Sequence, residues 1–552
     1  MLRNPSHQIK TPKNTFGLLR SIKALLSRSS RRAFFADVED APPSYAEYID
    51  WVLERFNVSY YSSQRSRLNV PANGRVIVFA NHPISSLDGL ALLRFLNEIR
   101  PDVRLISMDL LTDCAQLGDR VIPVSRGSMR ERRQSIRGIL EALKQEQAVV
   151  VFPAVKLSAL RKSQPRDGKW SHRFLKLALY SNAPLLPVFL ESKITKRPAF
   201  ARRSDKIMSI NNRHDLFINA GEAISIQEIR ASGINVRKRC KQLKRHLYRV
   251  GKGRPGVFMT QKTIVHPQPP AALRSELANA SLLGETLDGH QIYLYDSEQD
   301  SVLLREIGRL REYTFRAVGE GTGQHIDLDR YDYYYRHLVL WNDRQLEVVG
   351  AYRLAEAGDV LNRFGLDGLY CHELFELSNE FLELMSESIE LGRSFVQPKY
   401  WGKRSLEYLW YGLGAYLRLN PAVRYLYGPV SISNAYPDLA KQALVRFYQH
   451  YFGRSEPLVT ARRAYLLTGE NTDPVFSGDN YQDDFTRLKE YLDYFDVKVP
   501  TLYKQYTELC EPGGAVIDAF SVDPNFGYCV DGLVRLDLTM VKAKKLQRYV
   551  GA

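Results

Sequence analysis

Arg75-Val-Ile-Val-Phe-Ala-Asn-His-Pro-Ile-Ser-Ser-Leu-Asp-Gly-Leu90 is the stretch on which the reading of the fold turns. Arg75 to Ala80 is a short, nearly continuous run of apolar and β-branched residues, the pattern of a strand buried on both faces. A polar turn follows with Asn81, His82 and Asp88, and from Gly89 to Ile99 the apolar residues return at helical spacing. A strand that passes through a polar turn into a helix is one unit of an α/β sheet, with its site at the strand ends.

The same alternation extends on both sides. Val103–Ser107, Ala148–Phe152 and Pro184–Phe189 read as strands, while Glu131–Gln145 and Trp170–Ser181 read as helices. Gly251-Lys-Gly-Arg-Pro-Gly256 and His266-Pro-Gln-Pro-Pro270 punctuate the chain, which places a linker at 251–289. A second α/β pattern follows. Val302–Arg316 and Ser405–Leu419 read as helices, and Leu374–Met385 as partly helical. Arg336–Trp341, Glu347–Arg353, Glu387–Val396 and Gly532–Leu538 read as strands. The fold class is α/β with two domains, 45–250 and 290–552, preceded by a segment 1–44.

Charge divides along the same line. Residues 1–270 hold 47 basic and 21 acidic side chains, a net of +26, whereas 271–552 hold 30 and 40, a net of −10. Two modules facing different partners are implied. The first 36 residues carry eight Lys or Arg and no acid, and Leu18, Leu19, Ile22, Leu25 and Leu26 share one arc of a helical wheel. A basic amphipathic helix suits the surface of an anionic membrane, or equally a helix packed on its own domain with a solvated basic face. An acidic protein partner would answer to the same charge. Nucleic acid is not expected, because no zinc finger, RNP-like strand or helix-turn-helix pattern is present.

Other classes fall away on composition. With 44% hydrophobic and 25% charged residues, the chain is an ordinary folding one. No apolar run approaches the ~18 residues of a spanning helix. No secretory signal is expected either, since the basic N-terminus lacks a continuous apolar core and a cleavage site. The 5 cysteines are scattered without a C-x-x-C pair, against a zinc ribbon or disulfide scaffold, and no metal site is expected.

Chemistry gathers at two places. In the first, His82 ends a strand and Asp88 follows six residues on. Such a pair can orient an imidazole and stabilise its cation while the ring removes a proton from a hydroxyl; a structural histidine is the bland reading. Three further blocks follow: Gly118 to Arg126, with Arg126 after a short strand; Val151-Phe152-Pro153-Ala154-Val155; and Asn182 to Phe189.

These four blocks, in this order, resemble the glycerolipid (lysophospholipid) acyltransferase family, in particular its hemolysin-like and ornithine-lipid branch. The resemblance covers about residues 45–250. It implies acyl transfer from a thioester to a hydroxyl, with His82 as base, Asp88 as its partner, Arg126 on an anionic group, and Asn81, Phe152 and Pro153 at the substrate. The family has glycine where this chain has Val155, which implies an altered acceptor pocket or a worn domain.

In the second place, Arg311 and Phe315 lie four apart on one helix face. Asp327, Asp329 and Asp332 follow in a polar loop, then Arg353 in one strand and Glu390 with Arg393 in another. Gly402-Lys403-Arg404 opens a helix, and a glycine with basic residues there is a candidate cradle for a donor phosphate. Charges so spaced also make ordinary structural ion-pair networks. Together the pieces resemble the GNAT-type N-acyltransferases of the ornithine N-acyltransferase and autoinducer-synthase-like branch, over about 290–552. The resemblance implies an acyl-carrier-protein (or acyl-CoA) thioester as donor and an amino-acid amine as acceptor. Glu390 would accept the amine proton, with Arg353 and Arg393 holding a carboxylate or orienting Glu390. The acidic loop would bind a cationic side chain such as ornithine's.

The fusion resembles the bifunctional ornithine-lipid synthases of bacteria. The C-terminal domain would N-acylate ornithine with a 3-hydroxyacyl group, and the N-terminal domain would esterify that hydroxyl. No bound cofactor is implied. The expected partners are acyl carrier protein, an anionic membrane surface, ornithine and the lyso-lipid, at the inner face of the cytoplasmic membrane. Glycine, lysine or a lysophospholipid as acceptor, and a nonenzymatic membrane-binding protein built on two worn folds, are the other readings.

Overall fold

The strand expected at 75–80 runs from Val76 to Ala80, and its side chains divide between two cores. Val76, Val78 and Ala80 join one hydrophobic cluster, Ile77 and Phe79 another, and none is more than 2% exposed. Period-2 alternation with both faces apolar makes this the middle of a three-layer α/β/α unit. The computed structural model describes residues 44–82, 86–107, 116–124, 128–154, 159–161, 164–194, 214–231, 235–297, 301–467 and 476–551. The amphipathic segment read within 1–44, Arg126 and Val155 lie outside the described residues. The chain separates into two units, Met1–His266 and Pro267–Ala552.

The first unit contains β1 (Val58–Ser62), β2 (Val76–Ala80), β3 (Val103–Ser107), β4 (Val121–Pro123) and β5 (Ala148–Val151). A short hairpin of β6 (Ala159–Arg161) and β7 (Gln164–Arg166) follows, then β8 (Leu185–Ile194) and β9 (His214–Ala220). The seven-stranded sheet has the order β1-β9-β8-β2-β5-β3-β4, parallel except for β8 with β9. From β2 the helix Ser86–Asn97 carries the chain to β3 on one side. From β5 the helix Arg173–Ser181, which begins three residues later than the pattern suggests, leads to β8 on the other side. Connections that leave neighbouring strands in opposite directions open a crevice at the carboxyl ends of β2 and β5.

The stretch expected to be a linker, 251–289, is folded. Gly256 lies where any Cβ would strike the His246 ring, and the N–H groups of Val257 and Phe258 donate to His246 Nδ1 at 3.0 and 3.2 Å. Gln261 bridges to Ala223, and Thr263 donates to the Asn69 carbonyl at 3.0 Å. These bonds strap residues 257–266 onto the first unit. Beyond Pro267 a helix, Pro270–Leu277, buries Leu273 and Leu277 in the second. Proline and glycine punctuation there marks irregular backbone, not an untethered chain.

The second unit holds β10 (Ser281–Glu285), β11 (His290–Asp296), β12 (Arg336–Asn342), β13 (Glu347–Glu356), β14 (Phe375–Leu377) and β15 (Ser388–Val396). It continues with β16 (Tyr425–Ile432), β17 (Val459–Ala461), β18 (Ala515–Asp523) and β19 (Cys529–Asp537). Its eight-stranded sheet runs β10-β11-β12-β13-β15-β16-β19-β18. Every neighbouring pair is antiparallel except β15 with β16, which the helix Ser405–Leu419 connects as a crossover. That parallel pair is in register only at Ser388↔Tyr425, Ile389↔Leu426 and Glu390↔Tyr427. Beyond it the two strands diverge.

Candidate functional site

In the first unit, β2 delivers His82 to the crevice. Its Nδ1 lies 3.0 Å from Asp88 Oδ2, and Asp88 is fully buried in the first turn of the following helix. The ring rests on Phe152 from the end of β5, with centroids 4.6 Å apart. No described residue bonds Nε2, and the side chain is 16% exposed, so this nitrogen is the one open to a substrate hydroxyl. Asp88 is placed to hold the tautomer with the proton on Nδ1 and to stabilise the imidazolium that proton abstraction makes.

Two side chains set the height of the histidine. Asn81 donates from Nδ2 to the Leu190 carbonyl and accepts at Oδ1 from the Leu190 N–H, both at 2.8 Å. Asn81, expected at the substrate, is thus a buried brace between β2 and β8. Asp167 accepts from the His82 N–H at 3.2 Å and from the Trp170 indole at 2.7 Å. Sequence reasoning missed Asp167 because it sits in a polar, basic stretch that looks like any exposed turn. Pro153 is buried, and its carbonyl accepts from the Ser171 N–H at 2.8 Å, so it shapes the crevice wall.

In the second unit the divergence of β15 and β16 opens a cleft of about 660 Å³, partly open to solvent. Its walls are Leu391–Ser394 on one strand and Leu426–Ser431 on the other, with Tyr370, Phe315 and Phe526 above. Splayed strands leave backbone N–H and C=O groups without ladder partners, ready to pair with an amide-bearing ligand. Gly428 marks the fork, because a Cβ there would collide with the Leu391 carbonyl oxygen. Opposite it β15 carries a bulge, and Arg393 is held in the left-handed region at φ 49°. A non-glycine residue pinned there stores strain of the kind found at ligand sites.

Arg393 closes the cleft as part of a buried ion network. Arg311 bonds Asp332 through both terminal nitrogens at 2.6 and 3.0 Å and reaches Asp327 at 3.2 Å. Arg353 bonds Asp329 at 2.5 Å and Asp332 at 3.1 Å, with its guanidinium against the rings of Tyr331, Tyr335 and Tyr370. Arg393 lies 3.3 Å from Asp327 and 3.7 Å from Asp329, and donates to the Tyr370 hydroxyl at 2.9 Å. Burial works against the Asp332 carboxylate, but Arg311 and Arg353 hold its pKa far below the usual range. Three arginines therefore neutralise three aspartates. The acidic loop expected to receive a cationic side chain has its charge spent inside the protein, and its role is to fix Arg393 and Arg353.

Glu390 is likewise committed. It accepts from the Tyr335 hydroxyl and from the Cys371 N–H, both at 2.6 Å, and is not among the residues that line the cleft. Burial raises its pKa, opposed by the bonds from Cys371 and Tyr335. The turn 401–404 follows the splayed end of β15 and is exposed, with Gly402 at φ 75°. No side chain caps the helix Ser405–Leu419 that it opens, and of the two basic residues beside its first N–H groups Arg404 donates to Glu407 at 2.9 Å.

Acidic side chains of another set lie at the cleft or bond its lining residues. Asp531 of β19 lines it, Glu320 accepts from Ser431 at 3.1 Å, and Asp523 accepts from Tyr370 at 2.9 Å. Asp531 escaped the sequence reading because an acid interrupts the apolar run Cys529–Val534, and the strand seems to start only at Gly532. A lone acid inside such a run was the available signal. Among the described residues no group of three or more His, Cys, Asp or Glu side chains is arranged to hold a metal ion.

Residues 32–225 match the family model described as Acyltransferase, and residues 310–411 the one described as Acetyltransferase (GNAT) domain. A glycine N(alpha)-acyltransferase of Bacteroides thetaiotaomicron is 32% identical over 45% of this chain and 77% of its own length. An L-ornithine N(alpha)-acyltransferase of Brucella abortus is 30% identical over 29% of this chain and 64% of its own. A lyso-glycine lipid O-acyltransferase of Phocaeicola vulgatus is 25% identical over 23% of this chain and 45% of its own. An acyltransferase domain with a His–Asp pair at a strand end thus precedes a GNAT domain with a splayed parallel pair, and the chain belongs to the N(alpha)-acyltransferase family.

Proposed function

We propose that this enzyme makes a diacylated amino-acid lipid in two steps on one chain. In the second unit an acyl thioester lies in the β15–β16 cleft, its amide-bearing arm paired with the unpaired strand edges. Its phosphate rests on the exposed turn Gly402-Lys403-Arg404 at the helix N-terminus. An amino acid's amine attacks the thioester carbonyl and the thiol leaves. In the first unit His82 takes the proton from the hydroxyl of the resulting 3-hydroxyacyl amide as it attacks a second thioester. Asp88 stabilises the imidazolium, which returns its proton to the leaving thiol. Arg126 holds an anionic group of donor or acceptor.

The observation that carries this reading is the divergence of β15 and β16 after three paired residues. Ornithine is the acceptor the sequence reading names. Glycine is the second reading, favoured by the neutralised acidic loop, which reserves no carboxylate for a side-chain ammonium, and by the 32% identical glycine N(alpha)-acyltransferase. The donor is carried by acyl carrier protein or coenzyme A. The exposed arginines 130, 132, 133 and 137 on the helix Met129–Lys144 give the first unit a cationic face for acidic carrier protein or anionic lipid. Among the described residues no helix is long and apolar enough to cross a membrane.

Purified enzyme given a 3-hydroxyacyl thioester should release thiol only when an amino acid is added, and ornithine and glycine supplied separately identify the acceptor. Thiol release that no amino acid stimulates would reject the amide-forming step.

A further inference from the structure

The charges around the cleft do not cancel. Arg311, Arg353 and Arg393 are matched by Asp327, Asp329 and Asp332, whereas Glu320, Asp523 and Asp531 share no arginine or lysine of their own. Glu320 and Asp523 at least have hydroxyl donors, Ser431 and Tyr370. The Asp531 carboxylate has no hydrogen-bond partner among the described residues, although the residue is only 4% exposed and lines the cleft. It faces Ser431 across the β16–β19 ladder. A buried, unpartnered carboxylate is costly unless a ligand satisfies it. Three carboxylates without a cation call for a positive one.

We propose that Asp531, with Glu320 and Asp523 around it, is the acceptor-amine site of the cleft, binding the ammonium group of the amino acid and taking its proton. This rests on the amide-forming reading above. The ammonium nitrogen gives one proton to the Asp531 carboxylate, and its freed lone pair forms the new C–N bond at the thioester carbonyl. The C–S bond breaks, the nitrogen loses its second proton to the departing thiolate, and Asp531 later returns its proton to solvent. The products are an amide, a thiol and one proton.

Burial, then the neighbouring charges of Asp523 and Glu320, raise the pKa of Asp531 well above the usual carboxylate range, with Arg393 opposing. That moves its proton affinity toward an amine's, as a general base requires. The groups facing it are Asp523 of β18, Glu320, Arg393 of β15, Tyr370, Cys371, Tyr503 and, on its own strand, Cys529. Glu390, the base that the sequence reading names, is saturated by Tyr335 and Cys371 and becomes a positioning residue.

Asp531→Asn tests the assignment, with Glu390→Gln as its rival and hydroxylamine, which is neutral at pH 7, as an alternative acceptor. Asp531→Asn should lower kcat/KM for the amino acid by about 10²–10⁴-fold, leave the KM for the thioester unchanged, and fall less than tenfold with hydroxylamine. The thermal midpoint should not drop, because a buried acid without a side-chain partner has been replaced by a neutral amide of the same shape, and Glu320→Gln should raise the amino-acid KM in a second, independent variant. Asp531→Asn with wild-type kcat/KM and pH profile, or equal losses with both acceptors, overturns the assignment while amide formation stands. Wild-type enzyme that acylates no amine overturns both.

Discussion

In the proposed reaction the two units solve different proton problems. In the first, a hydroxyl must lose its proton while it attacks, and the answer is an imidazole aimed by one buried aspartate six residues away in sequence. In the second, an ammonium must lose its proton before it attacks, and the answer is a pocket of carboxylates assembled from β18, β19 and the turn after the helix Val302–Ala317. A pair that is local in sequence is fixed by one strand, one turn and one helix. A site drawn from segments some 200 residues apart (Glu320 to Asp531) depends on the whole sheet and on the ion network that props Arg393.

Removing the base should separate the two most sharply. His82→Ala is expected to cut O-acylation by about 10³-fold and leave N-acylation unchanged, read as lyso-lipid accumulating beside normal thiol release. Asp88→Asn should also lower O-acylation, by misorienting the ring. Next comes the fork of the cleft. Gly428→Val puts a side chain into the Leu391 carbonyl and should abolish N-acylation while O-acylation of supplied lyso-lipid persists.

A third test asks whether the ion network is structural. Arg311→Leu leaves three aspartates to two arginines and should destabilise the second unit by about 3–5 kcal/mol, seen in denaturant unfolding as an early transition. The first unit's His82 chemistry should survive at temperatures below that transition.

The smallest effects lie in pH. Burial lowers the His246 pKa to about 4, so its Nδ1 accepts from the 257–258 strap in the neutral form. The folded state binds fewer protons than the unfolded one between these values. The contribution of His246 is therefore present above about pH 6.5 and is lost as the pH falls toward 4. Glu320 works the other way. Burial raises its pKa from 4.5 to about 7, so its contribution to stability is greatest below 4.5 and declines as the pH rises toward 7. Protection of the Val257 and Phe258 amides, relative to their intrinsic exchange rates, should fall on acidification in wild type, and Glu320→Gln should flatten the alkaline side of the second unit's profile.

Much of this was legible in the sequence. Ser405–Leu419 is a helix between the residues its apolar spacing gives, and β2, β3 and β12 begin and end within one residue of their apolar runs. His82 with Asp88 was legible because strand, turn and helix place them by local geometry alone. Residues whose position depends on tertiary pairing were read less well. Arg311, Asp329, Asp332 and Arg353 were recognised as a set, yet nothing in their spacing tells that they neutralise one another. Asn81 looked like a substrate ligand because its partner, Leu190, is 109 residues away. Asp531 was invisible for the reason that makes it notable, an acid where the strand pattern demands an apolar residue.

The most direct test of two successive acylations on one chain is the lipid mass spectrum of a bacterium that makes no amino-acid lipids. Wild type, His82→Ala and Gly428→Val would each be expressed in it. Wild type should give a diacylated amino-acid lipid, His82→Ala only the monoacyl amide, and Gly428→Val neither. A diacylated product that persists in His82→Ala, or a wild-type extract with no new amino lipid, would contradict the account.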